Sequence, residues 1–159
     1  MHRGLGTQLR HLIELLDGAV GRAYEEEGLA YRPRYTPLVR ALMQREPMTI
    51  GQLAEAAGLT QPATTQTLAL MLKEGLVLSE PGPVDGRQRW IRLSATGRAL
   101  LPRLQSCWRA TASAAASLDA ELPVPLSEVL DLAIEALEEK SFDERIAAAR
   151  GRQSKRRGA

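Results

Sequence analysis

The stretch Thr49–Gly75, "TIGQLAEAAGLTQPATTQTLALMLKEG", constrains the fold more than any other part of the chain. Thr49 and Gln52 stand at capping-box spacing, where each side chain satisfies a free backbone amide of the other residue. Ile50, Leu53, Ala54 and Ala57 then share one apolar helical face, and Gly58 suits the left-handed position that closes a helix. Thr60 caps a second helix almost at once, with Pro62 tolerated in a first turn whose amides lack intrahelical partners. Two helices joined by so short a turn must pack across each other.

The rest of the chain supplies elements around that pair. Leu9, Leu12, Ile13, Leu16 and Val20 recur at helical spacing, so a first amphipathic helix is expected over about 7–27. "YRPRYTP" (31–37) reads as a loop, and Thr36 with Pro37 as the cap and first residue of a helix reaching about Arg45. After Gly75, "LVLSEP" and "RWIRL" read as short strands around the hairpin tip "GPVDGRQ". Ser94 caps a long helix to about residue 119, with Pro102 inside it. Leu101, Leu104, Trp108, Thr111, Ala115 and Leu118 form a seam along that helix. A final helix follows from Leu126, and residues 150–159 read as a basic, disordered tail. The expected fold is mainly α, in the order α-α-α-α-β-β-α-α.

Composition excludes several classes. No apolar run approaches 18 residues, which argues against a membrane span, and the N-terminal segment lacks the pattern of a secretory leader. The single cysteine, Cys107, makes no internal disulfide and fits a reducing cytoplasm. Two histidines without ligand spacing, and no nucleophile–base set or phosphate loop, point away from metal sites, cofactors and catalysis. The net charge of +2 hides an uneven distribution. Five Lys or Arg and no acid occupy the last ten residues, leaving residues 1–149 at −3. Residues 79–98 hold Arg87, Arg89, Arg92 and Arg98 against Glu80 and Asp85, a local basic segment on the hairpin.

A helix–turn–helix followed by a two-stranded hairpin is a winged helix, an architecture that most often binds duplex DNA. The residues here resemble the MarR (multiple-antibiotic-resistance regulator) family of bacterial transcription factors. The resemblance rests on "MTIGQLAEAAGLTQPATTQTLALMLKEGLV" and "DGRQRWIRLSATG", covers about residues 36–105, and places Asp85, Arg87, Leu93, Ser94 and Gly97 on the family's wing pattern. It implies a homodimer built by flanking N- and C-terminal helices. It also implies repression of a pseudo-palindromic operator, released by a small and often aromatic ligand. Residues 1–35 then form a dimerisation helix and loop, 36–100 the DNA-binding domain, and 101–149 the C-terminal dimerisation helices. The rival is a winged helix used for protein–protein contact, its acidic last helix facing a basic partner.

At about 100° per residue, Thr64, Thr67, Leu68 and Met71 share one face of the second helix of the pair. Pro62, Gln66, Ala69 and Lys73 fall opposite, with Gln61 and Thr65 at the edge. Short polar side chains admit a helix to a major groove about 12 Å wide and offer hydrogen bonds to base edges. Gln66 is the adenine-reading candidate; Gln61 and Thr65 either share that role or touch phosphates, which the helix N-terminus from Thr60 also favours. On the wing, Arg87 is placed for a narrow minor groove, Asp85 for a bidentate pair with its guanidinium, and Arg89 for phosphate. Ala69 and Leu70 stand where relatives often carry charge, so this helix offers fewer phosphate contacts, with a shallower salt dependence or more reliance on the wing, or else Leu70 and Leu72 pack against another element. Tyr24, Tyr31, Tyr35 and Trp108 either line an effector pocket or pack a core.

Overall fold

The computed structural model describes residues 4–157. Helix α1 spans Leu5–Glu26, and a single 3-10 turn at Pro33–Tyr35 leads into α2 (Thr36–Gln44). Strand β1 (Met48–Thr49), α3 (Ile50–Ala57) and α4 (Gln61–Lys73) follow, then β2 (Val77–Pro81), β3 (Arg89–Leu93) and α5 (Ala95–Glu121). Helices α6 (Leu126–Glu139) and α7 (Phe142–Arg157) complete the chain. The chain divides inside α5 into two compact units, one through Arg109 and one from Ala110.

In the first unit the expected caps form. Thr49 Oγ1 accepts the Gln52 amide at 3.3 Å while Gln52 Oε1 accepts the Thr49 amide at 3.0 Å. Gly58 closes α3 at φ +65, and Thr60 Oγ1 accepts the Ala63 amide to open α4. The sheet is antiparallel in the order β1-β3-β2, with Met48 opposite Ile91 and Val77 opposite Leu93. Strand β1 is an addition to the expected pair: two residues carry no alternation of their own, and they are extended because β3 offers them an edge.

Leu38, Leu42, Leu53, Met71, Ile91 and Leu104 are fully buried beneath the sheet and helices. Each such side chain contributes about 1.5–3 kcal/mol from burial alone. Thr36 differs from expectation. It lies inside α2, with Tyr35 at the cap position and no side-chain cap, because its hydroxyl is held instead by Tyr24 and Tyr31, each at 3.4 Å.

In the second unit Asp119 supplies the start of α6. Its Oδ1 accepts the amides of Leu126 at 2.8 Å and Ser127 at 3.3 Å, and its Oδ2 accepts the Ser127 hydroxyl. Helix α7 replaces the disordered tail expected from residue 150, since residues 150–157 continue it; residues 158 and 159 lie outside the described residues. A second reciprocal cap nucleates it: Glu144 Oε2 accepts the Ser141 amide at 2.8 Å and Ser141 Oγ accepts the Glu144 amide at 3.3 Å. Asp143 and Glu144 in its first turn suit the helix dipole. Among the described residues three helices thus follow the hairpin, where two were expected.

Candidate nucleic-acid interface

Helix α4 separates its two faces as its periodicity requires. Thr64, Thr67, Leu68 and Met71 are buried, while Gln61, Pro62, Thr65, Gln66, Ala69 and Lys73 are exposed. The buried Thr64 hydroxyl is satisfied by the Thr60 carbonyl at 3.0 Å, so a polar residue sits in the core at no hydrogen-bonding loss. Leu70 is half-buried against the core, as expected if it packs. Leu72 remains 40% exposed.

The wing tip, residues 82–88, is held by its own backbone. The Gly82 amide donates to the Gln88 carbonyl at 2.7 Å and the Gln88 amide to the Asp85 carbonyl at 3.0 Å. The Asp85 carboxylate accepts the Arg87 amide at 2.9 Å. This corrects the expected bidentate pair with the Arg87 guanidinium. An Asx-type turn reaches the nearer donor, two residues on, and leaves the exposed guanidinium of Arg87 without a carboxylate partner among the described residues.

Arg89 and Arg92 behave differently. Arg89 donates to Ser79 Oγ at 2.9 Å and to the Ser79 carbonyl at 2.5 Å, and Arg92 pairs with Glu80 at 2.9 Å. Both are committed across the hairpin to β2.

The Ser94–Gly97 pattern joins this hairpin to α4. Ser94 Oγ accepts the Gly97 amide at 2.9 Å and donates to the Gly75 carbonyl at 2.6 Å, while the Ser94 amide donates to the Leu76 carbonyl at 3.0 Å. A Cβ on Gly97 would stand 2.2 Å from that same Leu76 oxygen, so α5 crosses the end of α4 at glycine distance.

Sequence reasoning missed the contacts on the other side of α4. Arg32 donates to Glu74 Oε1 from Nε at 3.1 Å and from its terminal nitrogen at 2.9 Å, and Tyr35 donates to Glu74 Oε2 at 2.9 Å. Arg34 donates to Thr67 Oγ1 at 3.3 Å. These partners stand 33 to 42 residues apart, beyond any local pattern.

The four aromatic candidates come together inside the core. Tyr24 and Tyr31 meet edge to face at 5.0 Å, Tyr31 and Tyr35 at 5.6 Å, and the Trp108 indole N–H donates to the Tyr24 hydroxyl at 2.9 Å. Arg40 lies over the Trp108 ring at 4.9 Å. Burial pushes the Tyr31 phenol well above its ordinary range. All four side chains are buried. A cleft of about 510 Å³ lies elsewhere in the same unit, lined by Leu42, Met43, Arg45, Glu46, Leu93 and Arg98 among others. Cys107 is half-buried against the core. Among the described residues no cluster of His, Cys, Asp or Glu is arranged to hold a metal, and no helix is long and apolar enough to cross a membrane.

A capped helix pair, a core sheet extended into a wing, and an exposed polar helix face define a winged helix, an architecture that most often binds DNA. The MarR family matches residues 31–88. Among solved structures, the chain is similar to the M. tuberculosis transcriptional regulator MOSR in complex with DNA: 25% identity, 86% of this chain and 98% of that one, TM-score 0.67. It is also similar to the MarR family transcriptional regulator SPO1453 from Silicibacter pomeroyi DSS-3: 25% identity, 84% and 94% coverage, TM-score 0.59. Bordetella bronchiseptica BpsR, whose DNA binding is regulated by 6-hydroxynicotinic acid, shares the fold at 15% identity, with 88% and 97% coverage and TM-score 0.63. No curated protein matches. Residues 31–88 thus match the MarR family, and the winged-helix fold around them is the fold of solved transcriptional regulators.

Proposed function

We propose that this regulator is a homodimeric repressor, working in the cytoplasm, that reads a pseudo-palindromic operator with α4 and the wing. Residues 36–100 bind the DNA, and the helices of 1–35 and 101–149 build the dimer. The observation that carries the reading is the exposed set Gln61, Pro62, Thr65, Gln66 and Lys73 on a helix whose opposite face is core. Gln66 reads an adenine edge through its amide; Gln61 and Thr65 contact the bases or backbone beside it; Thr60 begins the helix whose N-terminal amides face phosphate. Arg87 enters the minor groove. Asp85 serves by shaping the tip, and Arg89 reaches phosphate only where it gives up Ser79.

Release by a small aromatic ligand is the second half of the reading, supported by the fold shared with BpsR. Such a ligand acts by favouring a dimer whose two recognition helices are wrongly spaced for one turn of DNA. Tyr24, Tyr31, Tyr35 and Trp108 are the proposed ligand-facing set, and occupancy then requires their packed edge contacts to open.

Selection of duplexes from a random pool by the intact chain tests the first half. A palindromic site with half-sites one turn apart is expected. Arg87→Ala then weakens binding to every duplex, whereas Gln66→Ala costs about 1–3 kcal/mol at one base-pair position and leaves random duplex unchanged. Equal losses on selected and random DNA for Gln66→Ala remove its reading role, and binding that ignores salt concentration removes the DNA function altogether.

A further inference from the structure

We infer that Glu74 is a positioning residue for DNA reading, clamping the C-terminal end of α4 to the connector between α1 and α2. The inference rests on the DNA-binding reading above and adds residues from outside its contact surface. Both oxygens of the Glu74 carboxylate are used, one by Arg32 through two nitrogens and the other by the Tyr35 hydroxyl. Arg34, from the same turn, holds Thr67 about two helical turns earlier on α4. Three consecutive side chains of one connector bar Pro33 therefore grip two levels of the helix that presents Gln66.

An exposed ion pair alone would carry little. Here the third partner is buried: Tyr35 is 0% exposed, and its hydroxyl donates to Glu74 at the edge of the core. Tyr35 also carries the edge contact to Tyr31, so the clamp continues into the Tyr24–Trp108 cluster and ties the pose of α4 to the packing there. Arg32 is stabilised as a cation chiefly by its hydrogen bonds to Glu74, in keeping with a persistent pair.

Charge and positioning predict opposite results when Glu74 is removed. Deleting an acid near a phosphate-binding surface strengthens binding to all duplexes alike. Loss of a clamp instead lets α4 tilt, which spoils base contacts while leaving phosphate contacts adaptable. The test compares Glu74→Ala, Arg32→Ala and the exchange Arg32→Glu with Glu74→Arg, against a duplex selected by the intact chain and a random duplex of equal length. The expected result is a fall in the selected-to-random affinity ratio of at least about fivefold for each single variant, comparable to spoiling one base pair. The exchange, which keeps the pair and leaves Tyr35 a partner, restores the ratio.

Equal gains on both duplexes, an unchanged ratio, or an exchange that fails to restore it would each overturn the inference. Hydrogen exchange in the free protein supplies a readout without DNA: amides of residues 67–73 exchange faster in Glu74→Ala while those of α3 do not. Uniform or absent acceleration overturns the clamp. Should the intact chain select no duplex, the DNA reading fails by itself, and hydrogen exchange alone judges the clamp.

Discussion

Gly97 illustrates how a single position sets the spacing of two elements. Its missing side chain lets the first turn of α5 pass over the Leu76 carbonyl, and Ser94 stitches the same crossing with hydrogen bonds to Gly75 and Gly97. Gly97→Ala places a methyl group against backbone that has no rotamer with which to yield. We expect a loss of about 1–3 kcal/mol in denaturant unfolding, the usual cost of overpacking, whereas Gly58→Ala strains only a backbone angle because nothing approaches its Cβ. The glycine of the family pattern is thus a matter of room, and the serine three residues before it a matter of satisfied polar atoms. At the wing tip the same scale of reasoning separates three arginines that look alike in sequence. Arg89 and Arg92 have partners on β2, and Arg87 has its guanidinium exposed.

Among the elements, helix α4 was legible because a 3.6-residue period fixes which residues share a face, and the core took the four it marked: Thr64, Thr67, Leu68 and Met71. The caps at Thr49, Gly58, Thr60 and Ser94 were legible for a related reason, since each acts over three or four residues. Strand β1 was not legible, because two residues hold no period and their pairing partner lies more than 40 residues ahead. The Arg32–Glu74 and Asp85–Arg87 geometries were missed on similar grounds: one is long-range, and the other turns on which of two nearby donors a carboxylate takes. Helix α7 was obscured by its basic composition, which masks a good cap at Ser141.

The start of α6 makes a prediction at this scale. The Asp119 carboxyl lies below its ordinary value of 3.8, chiefly through its hydrogen bond from Ser127. A depressed carboxylate contributes stability that is present above the unfolded value and lost as pH falls through the folded one. Acid titration followed by circular dichroism should therefore show helix loss below the ordinary Asp range. Ser127→Ala should move that loss to higher pH, and an unmoved midpoint would remove Asp119 from the account of how α6 begins.

For the whole molecule, the unsettled surfaces are apolar. Helix α1 leaves Leu5, Ile13 and Leu16 at 64%, 55% and 45% exposure, and α6 leaves Leu132 and Ile134 at 63% and 54%. Such apolar faces are what the proposed symmetric dimer would cover. Light scattering on the intact chain at micromolar concentration should give twice the mass of 17.4 kDa, and Ile13→Glu with Leu16→Glu should return it to one. A wild-type monomer would remove the two-fold argument for a palindromic operator. The wing tip bears on how fast such a dimer finds its site. Because Asp85 is occupied by a backbone amide, no internal ion pair has to open before Arg87 meets a phosphate. On the proposed reading, added salt slows the encounter by weakening attraction at a distance, and the contacts of α4 set how long the complex lasts. Arrival and residence would then belong to different elements of one small fold.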